Sequence, residues 1–176
     1  MKIIVFILLI VGHCSYGQMK VTDTLITPNG VKYIVSKNLN DVHSPKFYSN
    51  SRNRLDYSLP KVPPEVSHYG STYIDNGVEE RKRRDLLLLR AFQGASRPIP
   101  TDTLYMTFKM KASGDILEMN FHLTANSKLS VDDIELVEKT LKQNFKLKID
   151  SEKYKRMEYY WFSCPLYFAE LKKLSQ

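Results

Sequence analysis

The sequence predicts an α+β domain. An antiparallel sheet, made of a hairpin and a C-terminal strand, is packed by one or two helices, with an N-terminal β-hairpin and a long irregular segment added. Three observations lead there. Two apolar runs alternate around Gly114, an amphipathic helical pattern follows Ser130, and a third alternating run fills residues 157–168. Alternation of period two marks a half-buried strand, and spacing near 3.6 marks a one-sided helix. A sheet with one apolar face needs a helix to cover it.

The first seventeen residues read as a cleavable secretory signal. Lys2 supplies the positive start, residues 3–11 are an unbroken apolar run, and Ser15 and Gly17 are small residues before a cut between Gly17 and Gln18. A membrane-crossing helix needs about 20 apolar residues, so this run is too short to anchor, and no transmembrane segment is expected in the mature chain. A small residue followed by Gln resembles the signals of Bacteroidetes-type bacteria. His13 before Cys14 does not resemble the small residue of a lipobox, so lipidation there is not expected.

Residues 24–26 and 31–35 flank Thr27-Pro28-Asn29-Gly30. Asn-Gly between β-branched runs signals a hairpin, because both residues tolerate positive φ. From residue 38 to about 71, Ser, Asn, Arg and Pro dominate, including Pro45, Pro60, Pro63 and Pro64. Proline fixes φ and removes a donor, so a long loop or wrap is expected here. Asn76 with Glu79 three residues on fits an N-cap. Residues 79–92 then read as a helix, charged in its first half and apolar in its second, ended by Gly94, Pro98 and Pro100.

Leu104, Met106, Phe108 and Met110 alternate with Tyr105, Thr107, Lys109 and Lys111. After a turn at 112–115, Leu117, Met119, Phe121 and Leu123 alternate with Ile116, Glu118, Asn120 and His122. Two such runs around a glycine turn make an antiparallel hairpin with one apolar face. Ser130 and Asp133 have capping-box spacing, and Leu129 can staple onto Ile134. Ile134, Val137 and Leu141 form the buried stripe, with Glu135–Lys139 and Glu138–Lys142 as i,i+4 pairs. Each buried large side chain contributes about 1.5–3 kcal/mol against a few tenths for an exposed pair, so the stripe decides how the helix docks. Phe145, Leu147 and Ile149 alternate briefly with lysines before a polar turn at 150–156. In the last run Tyr160, Phe162, Cys164, Leu166 and Phe168 face one way, and Tyr159, Trp161, Ser163, Pro165 and Tyr167 the other. Pro165 cannot donate to a ladder, which suits an edge or a bulge.

Three regions result: a signal peptide at 1–17, an N-terminal hairpin and irregular wrap at 18–78, and a helix-β-β-α-β domain at 79–176. The order in this third region resembles the C-terminal domain of TonB-type periplasmic proteins over roughly residues 79–168. The Gly114 hairpin, the segment LSVDDIELVEKTLKQNFKLKI and the final strand carry the likeness. It implies that 157–168 is an edge strand able to pair with a partner peptide. The chain lacks the Tyr-Pro of that family's first helix and cuts off its own N-terminal helix, so energy transduction is not implied. It more closely resembles the small exported Bacteroides-type proteins of unassigned role.

Removing residues 1–17 from the 176 leaves 159, and losing Lys2 takes the formal net charge from +7 to +6. That excess serves solubility or attracts anionic envelope polymers; nucleic acid is not an expected partner. Cys14 leaves with the signal, so Cys164 has no intramolecular partner and is read as a small buried hydrophobe. No GxSxG, HExxH, CxxC or glycine-rich phosphate loop occurs, and His43, His68 and His122 lack zinc-site spacing. No catalytic residue, metal site or cofactor is expected, and the chain reads as a non-enzyme.

Four sets of residues remain as candidates. The run Arg81, Lys82, Arg83 and Arg84 is a solvated helix face or an anion contact. Tyr159, Trp161 and Tyr167 either pack under segment 40–70 or form an exposed platform for a glycan or protein. Asp23-Thr24-Leu25 and Asp102-Thr103-Leu104 resemble Bacteroides-type O-glycosylation acceptors at Thr24 and Thr103. Gly17 and Gln18 flank the signal cut. The expected role is that of an exported protein, periplasmic or at the cell surface, that pairs with an unknown envelope protein through its C-terminal edge strand. The alternative is a polysaccharide-binding protein using the Tyr159, Trp161 and Tyr167 face.

Overall fold

The computed structural model describes residues 19–38, 41, 43–55, 77–148 and 159–175. Their order is β1 (Met19–Ile26), β2 (Lys32–Asn38), β3 (Lys46–Asn50), α1 (Val78–Gly94), β4 (Thr103–Met110), β5 (Ile116–Leu123), α2 (Val131–Asn144), β6 (Tyr160–Tyr167) and α3 (Phe168–Leu174). The six strands form one antiparallel sheet in the order β1-β2-β3-β5-β4-β6. The expected α+β architecture is therefore present. The signal peptide with its Gly17–Gln18 cut, His68, the Asn76 cap, Ile149 and the 150–156 turn lie outside the described residues.

The first hairpin turns as its residues dictate. Gly30 has φ 78°, and Gly30 N–H donates to the Thr27 carbonyl at 2.9 Å. The hairpin does not wrap on a separate core: β3 joins it to β5, so β1–β3 form half of the sheet. The expectation of irregular chain from residue 38 is corrected by β3. Phe47 and Tyr48 are β-formers, and their ladder with Ser36, Val35, His122 and Phe121 outweighs the Ser- and Asn-rich surroundings. The second hairpin needs its glycine. Gly114 has φ 82°, and a Cβ there would lie 1.9 Å from the Leu147 carbonyl oxygen.

All three helices lie on one face. Arg84 of α1 donates to Cys164 Sγ of β6 at 3.3 Å, the Tyr33 hydroxyl of β2 donates to Glu138 of α2, and Phe92 of α1 meets Phe168 of α3 edge to face at 5.6 Å. Leu104, Met106, Phe108, Met119, Phe121 and Leu166 are buried beneath them with Ile134, Val137 and Leu141. Ser130 and Asp133 close a capping box as spaced. α1 starts instead on Gly77 with no side-chain cap.

Two helix-surface expectations change. Glu135 and Glu138 are buried, because α2 lies against both halves of the sheet. Glu135 accepts from Asn29 at 3.1 Å, and Glu138 accepts from Asn50 at 3.1 Å as well as from Tyr33. Lys142 reaches Glu138 at 3.4 Å as its spacing implied. The final run also stops earlier than expected: Phe168 opens α3 and does not extend the strand. Residues 145–148 contribute a single bridge between Lys146 and Asp115.

Candidate functional site

The site lies on the sheet face opposite the helices. Alternation sends every second side chain there, and the strand register aligns them into rows. Val21, Ser36, Phe47, His122, Tyr105 and Pro165 form one row across all six strands. The next row is Ile34, Ser49, Asn120, Thr107 and Ser163. A third holds Glu118, Lys109 and Trp161. Successive rows lie about 7 Å apart, two residues of strand rise. The face thus reads mainly apolar, then neutral and polar, then charged with an indole at the end.

A cleft of about 790 Å³ follows these rows, with Phe47, Ile34 and Trp161 as apolar walls and Asn120, Lys109 and Glu118 among its polar lining. That volume suits a small-molecule or oligomer site. A second cavity of about 320 Å³ includes Tyr105 and Pro165 and shares Thr107 and His122 with the first.

The charges at the cleft base neutralise one another. Lys109 Nζ lies 3.6 Å from Glu118 Oε2, and the two side chains are 2 % and 10 % exposed. Glu118 Oε1 accepts the backbone N–H groups of Arg54 and Leu55, the latter at 2.9 Å, and Lys109 donates to the Leu55 carbonyl. Asn53 Nδ2 donates to Asn120 Oδ1 at 3.2 Å and to the Met119 carbonyl at 2.9 Å. Residues 53–55, part of the expected wrap, are thereby laid on β5. Arg54 is exposed and donates to the Ser51 and Asn53 carbonyls.

The other lining groups are neutral. His122 packs edge-on to Phe47 at 4.3 Å, and burial lowers its pKa, so the imidazole is uncharged at neutral pH. Thr107 and Ser163 share a hydrogen bond of 3.0 Å. The amide nitrogen is what Asn120 has left to offer a ligand, since Asn53 takes its carbonyl oxygen.

The three aromatics expected to act together divide. Trp161 is part-exposed in the cleft wall. Tyr159 is buried, with Lys109 Nζ 5.9 Å from its ring centre. Tyr167 is 50 % exposed at the far end of β6, opposite Thr103. A single platform of all three is therefore not what the register builds. Two contributors were missed. Tyr105, 48 % exposed, was legible from its alternation with Met106. Phe47 was hidden with β3, although Phe47-Tyr48 is a β-forming pair in a polar stretch.

The basic run divides as well. Arg81, Lys82 and Arg83 are exposed. Arg84 is buried, bound to Asp85 at 2.8 Å and to the Pro165 carbonyl at 3.2 Å, so it is not a solvated anion contact. Arg83 bonds Glu80 at 2.6 Å and lies 4.3 Å from the Phe145 ring centre. Burial raises the Glu80 pKa, but Arg83 and Lys148 outweigh it and hold the carboxyl low. Burial pushes the Cys164 thiol up. Thr24 is exposed and Thr103 part-exposed, on different strands. Among the described residues, no three His, Cys, Asp or Glu side chains cluster to hold a metal, and no helix is long and apolar enough to cross a membrane.

No family model matches the sequence, and no curated protein matches it. A solved structure does: the crystal structure of a DUF5043 family protein from Bacteroides uniformis ATCC 8492. It aligns with a TM-score of 0.62 at 18% identity, over 84% of this chain and 92% of that one. This likeness shows the fold and does not extend to a role.

Proposed function

We propose that this chain is an exported, non-catalytic protein that binds an uncharged carbohydrate on the open face of its sheet. The observation that carries the reading is the cleft itself: aromatic walls and mostly neutral hydrogen-bonding groups over a charge pair that cancels internally, with the exposed Arg54 at its edge. Sugars present C–H faces that pack on aromatic rings and hydroxyls that both donate and accept. The overall positive charge of the chain does not extend to the cleft base, where Lys109 is matched by Glu118, so an anionic polymer gains little there.

A display of immobilised neutral and anionic glycans tests this with the wild type and Trp161→Ala. Neutral glycans are retained by the wild type, and Trp161→Ala weakens them about tenfold, the effect of losing roughly 1.4 kcal/mol of ring contact. Retention of anionic glycans alone, or no effect of the substitution in a folded variant, refutes the reading.

A second reading has its own observation. Among the described residues, β6 ends the sheet, with β4 on its one side, and Pro165 suits that edge. An extended partner segment can pair with such an edge. If an envelope protein is captured equally by the wild type and Trp161→Ala, the edge reading is favoured; capture that disappears with Trp161 counts against it. Export itself is checked by N-terminal sequencing, which finds Gln18 first if the signal is cut as read.

A further inference from the structure

We infer that the ligand of this face is a chain of several uncharged sugar units lying along β4 and β6. The inference rests on the carbohydrate reading above and adds the length and direction of the ligand. Three observations support it, beginning with continuity. The larger cleft and the smaller cavity share two lining residues, Thr107 and His122, so the two volumes adjoin between β4 and β5 and together make a lane that reaches from Trp161 to Pro165 on β6.

The second observation is length. Trp161 stands opposite Lys109 in the larger cleft, and Tyr167, two residues past the smaller cavity's Pro165, stands opposite Thr103 at the other end of β6. Six residues of antiparallel strand separate those positions, about 20 Å, a span no single sugar ring can fill. The third is the order of the chemistry. Trp161 provides an apolar surface at one end, and Tyr105 and Tyr167, each about half exposed at 48 % and 50 %, provide one at the other. Tyr105 and Tyr167 are diagonal neighbours on adjacent strands, within reach of each other for aromatic side chains. Between the two ends lie the hydroxyls of Thr107 and Ser163 and the Asn120 amide. Rings that stack at both ends with hydroxyls bonded between them match a glycan chain.

Charge selects among chains. None of the described residues lining the smaller cavity is an acid, a lysine or an arginine. A uronic acid or sulfated unit there would be desolvated with no cation to meet it. The smaller-cavity end of the lane therefore favours neutral units, while in the larger cleft Lys109 is matched by Glu118 and the exposed Arg54 also lines the wall.

The test uses glucose, mannose, xylose and N-acetylglucosamine oligomers, each from single sugar to hexamer, titrated into the full chain by calorimetry. Wild type is compared with Trp161→Ala, with the Tyr105→Ala/Tyr167→Ala double variant, and with the matching Phe double variant. For the series that binds, affinity rises with chain length and then levels. The Ala double variant weakens the hexamer about tenfold and leaves the dimer unchanged, while the Phe double variant keeps hexamer binding. If a single sugar binds as tightly as the hexamer, or the Ala double variant binds every length as wild type does, the extended lane is wrong while a Trp161-dependent sugar site stands. If no neutral oligomer of any length binds, both readings fall together.

Discussion

Lys109→Met removes one partner of the ion pair under the cleft, and its cost follows from the geometry. The pair is 3.6 Å apart, with side chains 2 % and 10 % exposed. At an effective dielectric of about 20, the attraction at that distance is about 4–5 kcal/mol. Removing one member of a buried pair leaves the other charge uncompensated and costs about 3–5 kcal/mol. For a domain of this size that lowers Tm by roughly 6–20 °C. Glu118→Gln keeps an oxygen for the Arg54 and Leu55 N–H groups and removes only the charge. Combining the two changes removes both charges of the pair, so the double variant should be about 2 kcal/mol less destabilised than the two single costs added together. Urea unfolding followed by Trp161 emission and by far-UV circular dichroism measures all four proteins. Trp161 is the one tryptophan of the chain and lies opposite Lys109, so it reports this site. A cost below about 1 kcal/mol for Lys109→Met, or strictly additive single costs, would refute the claim that the pair neutralises the cleft base.

Three further predictions follow from single features. Gly114→Ala costs about 3 kcal/mol or more in a urea melt, because positive φ and the 1.9 Å approach to the Leu147 oxygen combine strain with a backbone clash; a cost under about 1 kcal/mol contradicts that packing. Burial lowers the His122 pKa from its ordinary value of 6.5, so the unfolded chain binds the extra proton. Its contribution to stability is therefore complete above pH 6.5 and is lost as pH falls through the lowered folded value. Urea midpoints from pH 5 to 8 should show this rise, and His122→Gln should flatten it. Cys164 is buried with its pKa raised, so in a Cys14→Ser chain a thiol reagent reacts slowly until denaturant is added; fast labelling of the folded protein would contradict its burial.

Local signals were legible where the chain makes its own contacts. The Gly114 turn, the Ser130–Asp133 cap and the inward face of β6 each rest on neighbouring residues, and each formed as read. Non-local partners were not legible. Glu135 and Glu138 look like ordinary solvent-facing helix residues. Their partners Asn29, Asn50 and Tyr33 lie far away in sequence, brought beside α2 by the β3–β5 pairing. β3 itself was hidden because Pro45 and the surrounding Ser and Asn residues argue for loop, while its ladder partners lie in β2 and β5. α3 was missed because Phe168 continues the alternation of β6 and no side chain caps the helix.

For the candidate site, alternation placed Lys109, Glu118, Asn120, His122 and Trp161 on polar strand faces, but only the register puts them in consecutive rows. The mutual neutralisation of Lys109 and Glu118, and the laying of residues 53–55 over β5, needed the sheet order. Trp161, Tyr159 and Tyr167 share an alternation pattern but lie at different points along the last run, Tyr159 beside Lys109 just before β6 and Tyr167 opposite Thr103 at its end, so their fates diverge.

The most direct test of the central claim is Trp161 emission as neutral and anionic polysaccharides are titrated into the full chain. A neutral glycan bound across this face should shift the emission to the blue and protect it from acrylamide, with no such change from an anionic polymer. Emission that stays fixed with every neutral glycan, or that moves only with anionic ones, would contradict the account.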